Sequence, residues 1–541
     1  MRIRTRKNLK KKNTAIVGLF LLPIIGFGAF AGVLLYILYD IASFTYNIPP
    51  PTTDYFYPES EIDDDILAQM AEVYEYRLEK YHMPTNITVD VNFKDRTYEE
   101  VDLWHGTDNG ALHVGKTLSA ECLRYKKALD ENNDEELENA TRMVKKCVTA
   151  FSNMIAAPNG GLGINPETGK WYPGTLSRFV CAPQYKKYHP WMFDPPHPRH
   201  FNGTGDYSNW RVRLYTSRDE VAGYFFGLAS VLKFITGDDG DSKWCVERVK
   251  LLVEQITEGF LSTNWLILNG DGNPTGSDLN PTIGPSTWQL TMLRLAATAR
   301  PEKYLSRYQY CAAKMLTAGG ANMGDVLNSF QDYYALSFGA HVMFALIILE
   351  DDPQLQYHYI KNFEEGFMKV VRYHRNAFFN VMHLAFMSLL EKNQRARFEN
   401  PDYDDDDILW DVKDQLWRFY TSNWCPVRDY NLTDRPHSTR STSLNPEIRA
   451  REFVPTKNKW RNFFENNMFG PLFSWIGEEF DMDEEIYMLP ITVSEQSAEY
   501  FFWGDNPFYD EGGNLGGNGI HEAAGIAFTS VYWMGRAFGI F

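Results

Sequence analysis

Lys243–Leu261 reads KWCVERVKLLVEQITEGFL, and its apolar residues Val246, Val249, Leu252 and Ile256 recur every three or four positions. That interval stacks side chains on one face of an α-helix, whereas a half-buried strand alternates at every second residue. Outward from this stretch the same spacing marks Ile62–Tyr81, Ala120–Leu129, Glu135–Ile155, Arg218–Ile235, Ser286–Thr298, Glu302–Leu316, Tyr334–Leu349, Pro353–Tyr373, Phe378–Leu390, Ile408–Tyr420 and Gly525–Phe538. Alternation is confined to short pieces such as Ile87–Phe93, so the sequence predicts a mainly α body with minor β. Arg218–Ile235 has the best-defined ends. Ser217 precedes it as a cap, Asp219 and Glu220 occupy the first turn where the helix dipole favours acids, and Gly237 follows as a stop.

At 541 residues, 44% apolar and 23% charged, the chain has a globular composition. Its 70 Asp+Glu against 53 Lys+Arg give a net charge of −17, which argues against a nucleic-acid partner gripped through phosphates. Arg2, Arg4, Arg6, Lys7, Lys10, Lys11 and Lys12 precede Ala15–Tyr39, AIVGLFLLPIIGFGAFAGVLLYILY, an uncharged run long enough to cross a hydrocarbon core of ~30 Å. The run exceeds the apolar region of a signal peptide and ends in no small-x-small cleavage pattern. The expectation is a single-pass, type II membrane protein: a cytosolic basic tail (1–14), a signal anchor (15–39), a Pro-rich stalk (40–61) and a lumenal or extracytoplasmic ectodomain (62–541). With the seven basic tail residues set aside, the remainder carries about −24. Two features agree with export. The sequons at Asn86, Asn139, Asn202 and Asn431 lie beyond the anchor, and so do Cys122, Cys147, Cys181, Cys245, Cys311 and Cys425. Six cysteines permit disulfides in an oxidising compartment, with buried free thiols as the alternative.

A dozen helices of about 15 residues joined by long loops suit helical hairpins set in a ring better than a four-helix bundle. In helix count, in its Trp- and Tyr-rich loops and in the junction Trp210…Ser217-Arg218-Asp219-Glu220-x-x-Gly223, the chain resembles the (α/α)6 toroid enzymes, the six-hairpin glycosidase group. The resemblance spans Ile62 to Phe541. It implies a toroid-like helical-hairpin barrel and activity on glycans as a hydrolase, lyase or epimerase. The sequence departs from any one family's full catalytic signature, so site candidates come from the residues themselves.

Phe, Trp and Tyr make up 15% of the chain. Sugar rings stack on aromatic planes while their hydroxyls need fixed polar partners, so the loop-borne Trp171, Trp191, Trp210 and Trp503 are candidate substrate contacts. At the Trp210–Glu220 junction Asp219 and Glu220 are candidate acids and Arg218 an orienting charge. On a helix the two acids diverge by about 100°, so one faces a cleft while the other caps or pairs. Further acids come from the C-terminal stretch: Asp505 in a Gly-rich loop and Glu522 before the last helix. Asp271, Asn273 and Thr275 imitate a calcium loop, although Thr282 stands where the bidentate Glu belongs. Otherwise no cofactor is called for. Asp402 and Asp404–Asp407 read as a solvated turn, and His341, His374 and His383 as core histidines. Two readings follow: an enzyme acting on a glycan or glycoprotein through paired carboxylates, or a non-catalytic ectodomain that binds glycan or protein through the same loops.

Overall fold

The Asp63 carboxylate accepts hydrogen bonds from the N–H groups of Asp65 and Ile66 and so starts α1 (Asp64–Arg77). Asn133, Asp239, Ser286, Asp352 and Asn376 do the same for α3 (Asp134–Asn159), α5 (Gly240–Ser262), α6 (Thr287–Ala299), α9 (Pro353–Asn362) and α11 (Ala377–Ser388). The computed structural model describes residue 32 and residues 50–95, 97–194, 197–279, 286–317, 333–421, 490, 492–493, 502–507 and 520–541. The remaining α-helices among these are α2 (Gly110–Glu131), α4 (Arg218–Phe234), α7 (Pro301–Thr317), α8 (Tyr333–Leu349), α10 (Lys369–Val371), α12 (Lys392–Arg395), α13 (Asp405–Thr421) and α14 (Ile526–Ala537). The protein is mainly helical with small sheets.

One sheet has the order β2 (Val101–His105), β1 (Asp90–Phe93), β8 (His521–Glu522); another has β3 (Phe179–Cys181), β5 (Arg211–Arg213), β4 (His200–Asn202); β6 (Leu266–Leu268) and β7 (Pro274–Asp278) form a ribbon. All pairs are antiparallel. Helix α2 packs on α3, α4 and α14; α4 on α5, α6 and α8; α6 on α7 and α8; α8 on α9 and α11; α11 on α13 and α14; and α14 on α1. Helices α2, α4, α6, α8, α11 and α14 are enclosed over most of their length, whereas α1, α3, α5 and α7 keep an exposed face.

The helical stretches read from sequence recur in the structure, but α2 begins ten residues before the expected Ala120. Gly110–Ser119 is buried on every side, so it lacks the two-faced pattern that periodicity detects. At the α2–α4 crossing a Cβ on Gly115 would overlap the Gly223 carbonyl, so the two backbones touch there.

Among the described residues no helix is long and apolar enough to cross a membrane. The tail and anchor (1–39, apart from residue 32), Asn431 and Cys425 lie outside the described residues. The other five cysteines are buried free thiols rather than disulfides. Of the three remaining sequon asparagines, Asn202 is exposed, while Asn86 and Asn139 are half-buried.

His383 is clamped between two acids, with Nδ1 2.9 Å from Glu364 Oε1 and Nε2 3.0 Å from Asp405 Oδ1, tying α11 to the turn after α9 and to α13. Burial opposes the imidazolium, but Glu364 and Asp405 outweigh it and raise His383 to about 8. A raised folded value means stability that is complete below the ordinary histidine range and is lost as pH rises through about 8. Urea midpoints measured from pH 6 to 9 are expected to fall in that window, and His383→Asn is expected to flatten the drop. Gly223→Ala places a Cβ against the Leu112 backbone and is expected to cost about 1–3 kcal/mol in the same assay.

Candidate active site

The amino ends of five helices are hydrogen-bonded to one another. Glu220, in the first turn of α4, reaches the first turn of α2, where its Oε2 accepts from the N–H groups of Ala111 (2.9 Å) and Leu112 (3.3 Å). It supplies from another helix the cap that Asn109, whose side chain makes no cap bond, does not. Asp219 Oδ1 accepts from Ser217 Oγ, and Oδ2 from the hydroxyl of Tyr334 at 3.3 Å, in the first turn of α8. Asn376, the α11 cap, donates to the Tyr333 hydroxyl (3.4 Å) and to the Trp503 carbonyl (2.9 Å). Trp503 Nε1 in turn donates to the Ala527 carbonyl at the start of α14 (2.6 Å).

Lys116 of α2 is fully buried and lies within the fields of Asp219, Glu220, Asp505 and Asp90. Burial lowers it to about 7 against the pull of those acids. One turn earlier, burial lowers His113 to about 4; His341 on α8 is pushed well down by burial, with Lys116 adding to the effect. Glu220 is raised well above the carboxylate range, by burial first and then by the Asp219 charge, while Arg178 and the two backbone N–H groups hold it back. Burial, with the charges of Asp219 and Glu220, keeps the Tyr334 phenol protonated.

Arg178 fixes the loops around this cluster. Its Nε donates to the Tyr215 carbonyl (2.8 Å), Nη1 to the Asp108 carbonyl (2.7 Å) and Nη2 to Ser217 Oγ, and Nη1 lies 3.9 Å from Glu220 Oε1. Tyr215 is 37% exposed and sits at φ 63°, a left-handed conformation that is costly for a bulky residue. Its N–H, donated to Asn269 Oδ1 at 2.9 Å, and its bond to Arg178 hold it there. Asp219 therefore follows a strained, exposed aromatic residue. Asp219 accepts from two hydroxyls, and beside it burial raises Glu220 and lowers Lys116 to about 7.

The chain matches no protein family, curated protein or solved structure in the comparisons made.

Of the acids expected from sequence, Asp219, Glu220 and Asp505 share the field at Lys116. Glu522 is held elsewhere: Arg77 donates to both of its oxygens, and His82 Nε2 lies 3.1 Å from Oε1. That pairing keeps it below the ordinary Glu range despite burial and makes it a tie between β8 and α1. Arg218 is exposed in the first turn of α4, while Arg178 bonds Ser217 Oγ and lies 3.9 Å from Glu220 Oε1. Trp503 is a core residue, 1% exposed and edge-on to Phe419, because its indole N–H closes the α14 end. Trp171 lies beneath the Lys303 ammonium (5.3 Å), Trp210 packs edge-on to Tyr207, and Trp191 lies under the Arg213 guanidinium (5.7 Å). Asp271 accepts from Asn273 N–H at 2.9 Å and closes a turn before β7, where Thr275 bonds the Ser277 carbonyl. Among the described residues no group of three His, Cys, Asp or Glu is placed to hold a metal, and Thr282 lies outside them.

Lys116, Tyr334, Arg178 and Asp90 were not anticipated from sequence. The available signal was a lysine three residues after His113 within an otherwise apolar, small-residue stretch, GALHVGKTLSA.

Because burial raises Glu220 and a Gln oxygen can accept the two N–H bonds that Oε2 accepts, Glu220→Gln is expected to change unfolding free energy by less than about 1 kcal/mol. Glu220→Ala, which strands two N–H donors and opens a cavity, is expected to cost about 2–4 kcal/mol. Denaturant titration of both variants checks the difference.

Proposed function

We propose that this chain is a membrane-tethered, extracytoplasmic enzyme performing acid–base chemistry on glycans, with its helices set as an (α/α) toroid. The observation that carries the reading is the convergence of Asp219, Glu220 and Asp505 on Lys116 at the joined amino ends of enclosed helices. Helix amino ends favour negative charge, so they suit carboxylates and the anionic character that develops when a proton leaves a sugar. The toroid is supported by packing that passes from α2 to α4, α6, α8, α11 and α14 and back to α2, with α3, α5, α7, α9, α13 and α1 outside. Exposed Tyr215, bonded to Arg178, and half-buried Trp191, under Arg213, offer stacking planes. Tethering is supported by the uncharged run 15–39, and a lumenal body by the exposed sequon at Asn202.

A non-catalytic binding module needs a shared stacking surface and no set of unequal acids. Here Trp503 is a core residue and Trp171 packs on α7, while the acids gather. That contrast favours the enzyme.

Asp219→Asn and Asp505→Asn, assayed separately on a panel of glycans, are each expected to lower turnover by at least about a hundredfold. Lys116→Met is expected to remove a limb of the pH–rate profile near 7. Undiminished turnover in both carboxamide variants would sink the assignment.

A further inference from the structure

The chain as a whole repels anions, with a net charge of −17, yet one patch beside the candidate site is basic. Arg213 Nη2 donates to Asp108 Oδ1, and Arg199 Nη1 lies 3.7 Å from the same oxygen. Arg178 Nη1 bonds the carbonyl of that residue. Two guanidiniums thus meet one carboxylate, and a third holds the backbone of the same residue. The Arg199 and Asp108 side chains are 47% and 55% exposed, while Arg213 and Arg178 stand behind them at 9% and 12%. Arg178 and Arg199 also depress Arg213, after burial, which places all three in one field. Arg218, exposed in the first turn of α4, adds a further cation beside Asp219.

The geometry points to an anionic saccharide as the ligand: a sugar carboxylate or sulfate ester enters between Arg199 and Arg213 and takes the place of the Asp108 carboxylate. Guanidinium forks match planar or tetrahedral oxyanions through paired N–H donors, and Asp108 acts as an internal stand-in for such a group. The aromatic planes needed for the attached ring are adjacent: Trp191 lies under Arg213, and Tyr215 is two residues further along the chain. Arg178 links the two areas, since it bonds both the Asp108 carbonyl and Ser217, the hydroxyl donor to Asp219. The inference rests on the glycan reading above and narrows its substrate class.

Full-length protein in detergent, titrated with uronate-bearing, sulfated and neutral oligosaccharides of equal length, tests the assignment. At least one charged series is expected to bind about tenfold more tightly than the neutral one, and the advantage is expected to shrink in about 0.5 M salt. A preference for uronate alone or for sulfate alone identifies the oxyanion. Arg199→Gln, at an exposed position, is expected to lose most of that advantage without weakening neutral binding. Asp108→Asn, which removes the competing carboxylate, is expected to tighten charged binding about threefold to tenfold, a direction that general damage does not produce. Equal binding of charged and neutral sugars, or an unchanged Arg199→Gln, overturns the inference. Charged binding without turnover overturns the enzyme reading and leaves this one standing; turnover of neutral glycans alone does the reverse.

Discussion

Backbone contact between α2 and α4 at Gly115 and Gly223 sets the geometry of the acid end. Each glycine inside a helix costs about 1 kcal/mol of helix propensity, and close packing of the two backbones offsets it through dispersion. With the helices that close, Glu220 of α4 reaches the free N–H groups of α2, and Lys116 enters the field of the α4 acids. A side chain at either glycine would force the helices apart and separate the cap from the groups it serves.

Once the amino ends are joined, electrostatics follows. The ends of α2, α4, α8, α11 and α14 each present positive partial charge, and links through Glu220, Tyr334, Asn376 and Trp503 keep them together. A buried acid pair is costly by itself. Here burial shifts Glu220 upward, toward its neutral form, and Lys116, itself lowered to about 7, lies in the field of the acids. Burial drives both Glu220 and Lys116 toward their neutral forms.

Other buried charges in the protein have a different character. Arg375 donates to Asp411 and Asp414 while its guanidinium covers Phe56, and Glu522 is saturated by Arg77 and His82. Those groups are paired on all sides and hold elements distant in sequence together. In the acid cluster Glu220 Oε1 and Asp90 Oδ2 accept no hydrogen bond among the described residues, and the same holds for Glu75 Oε2 and Glu121 Oε1 around Arg124.

The three-to-four spacing in stretches such as Lys243–Leu261 determined a mainly helical chain and most helix positions, because an outer helix must turn one apolar stripe inward. It also marked Asp219 and Glu220 as first-turn acids, since capping chemistry is local. It could not reveal the first half of α2, whose enclosure on all sides erases the stripe, nor Lys116, whose acid neighbours come from α4 and from residue 505. Trp503 and a loop tryptophan are the same residue type in sequence, and only packing made it core; Glu522 reads as a free acid until Arg77, 445 positions away, closes on it. Periodicity and capping are properties of neighbours along the chain, so sequence carries them. Which charges meet, and which oxygen is left open, depends on distances between helices far apart in sequence, and the tertiary structure alone set those.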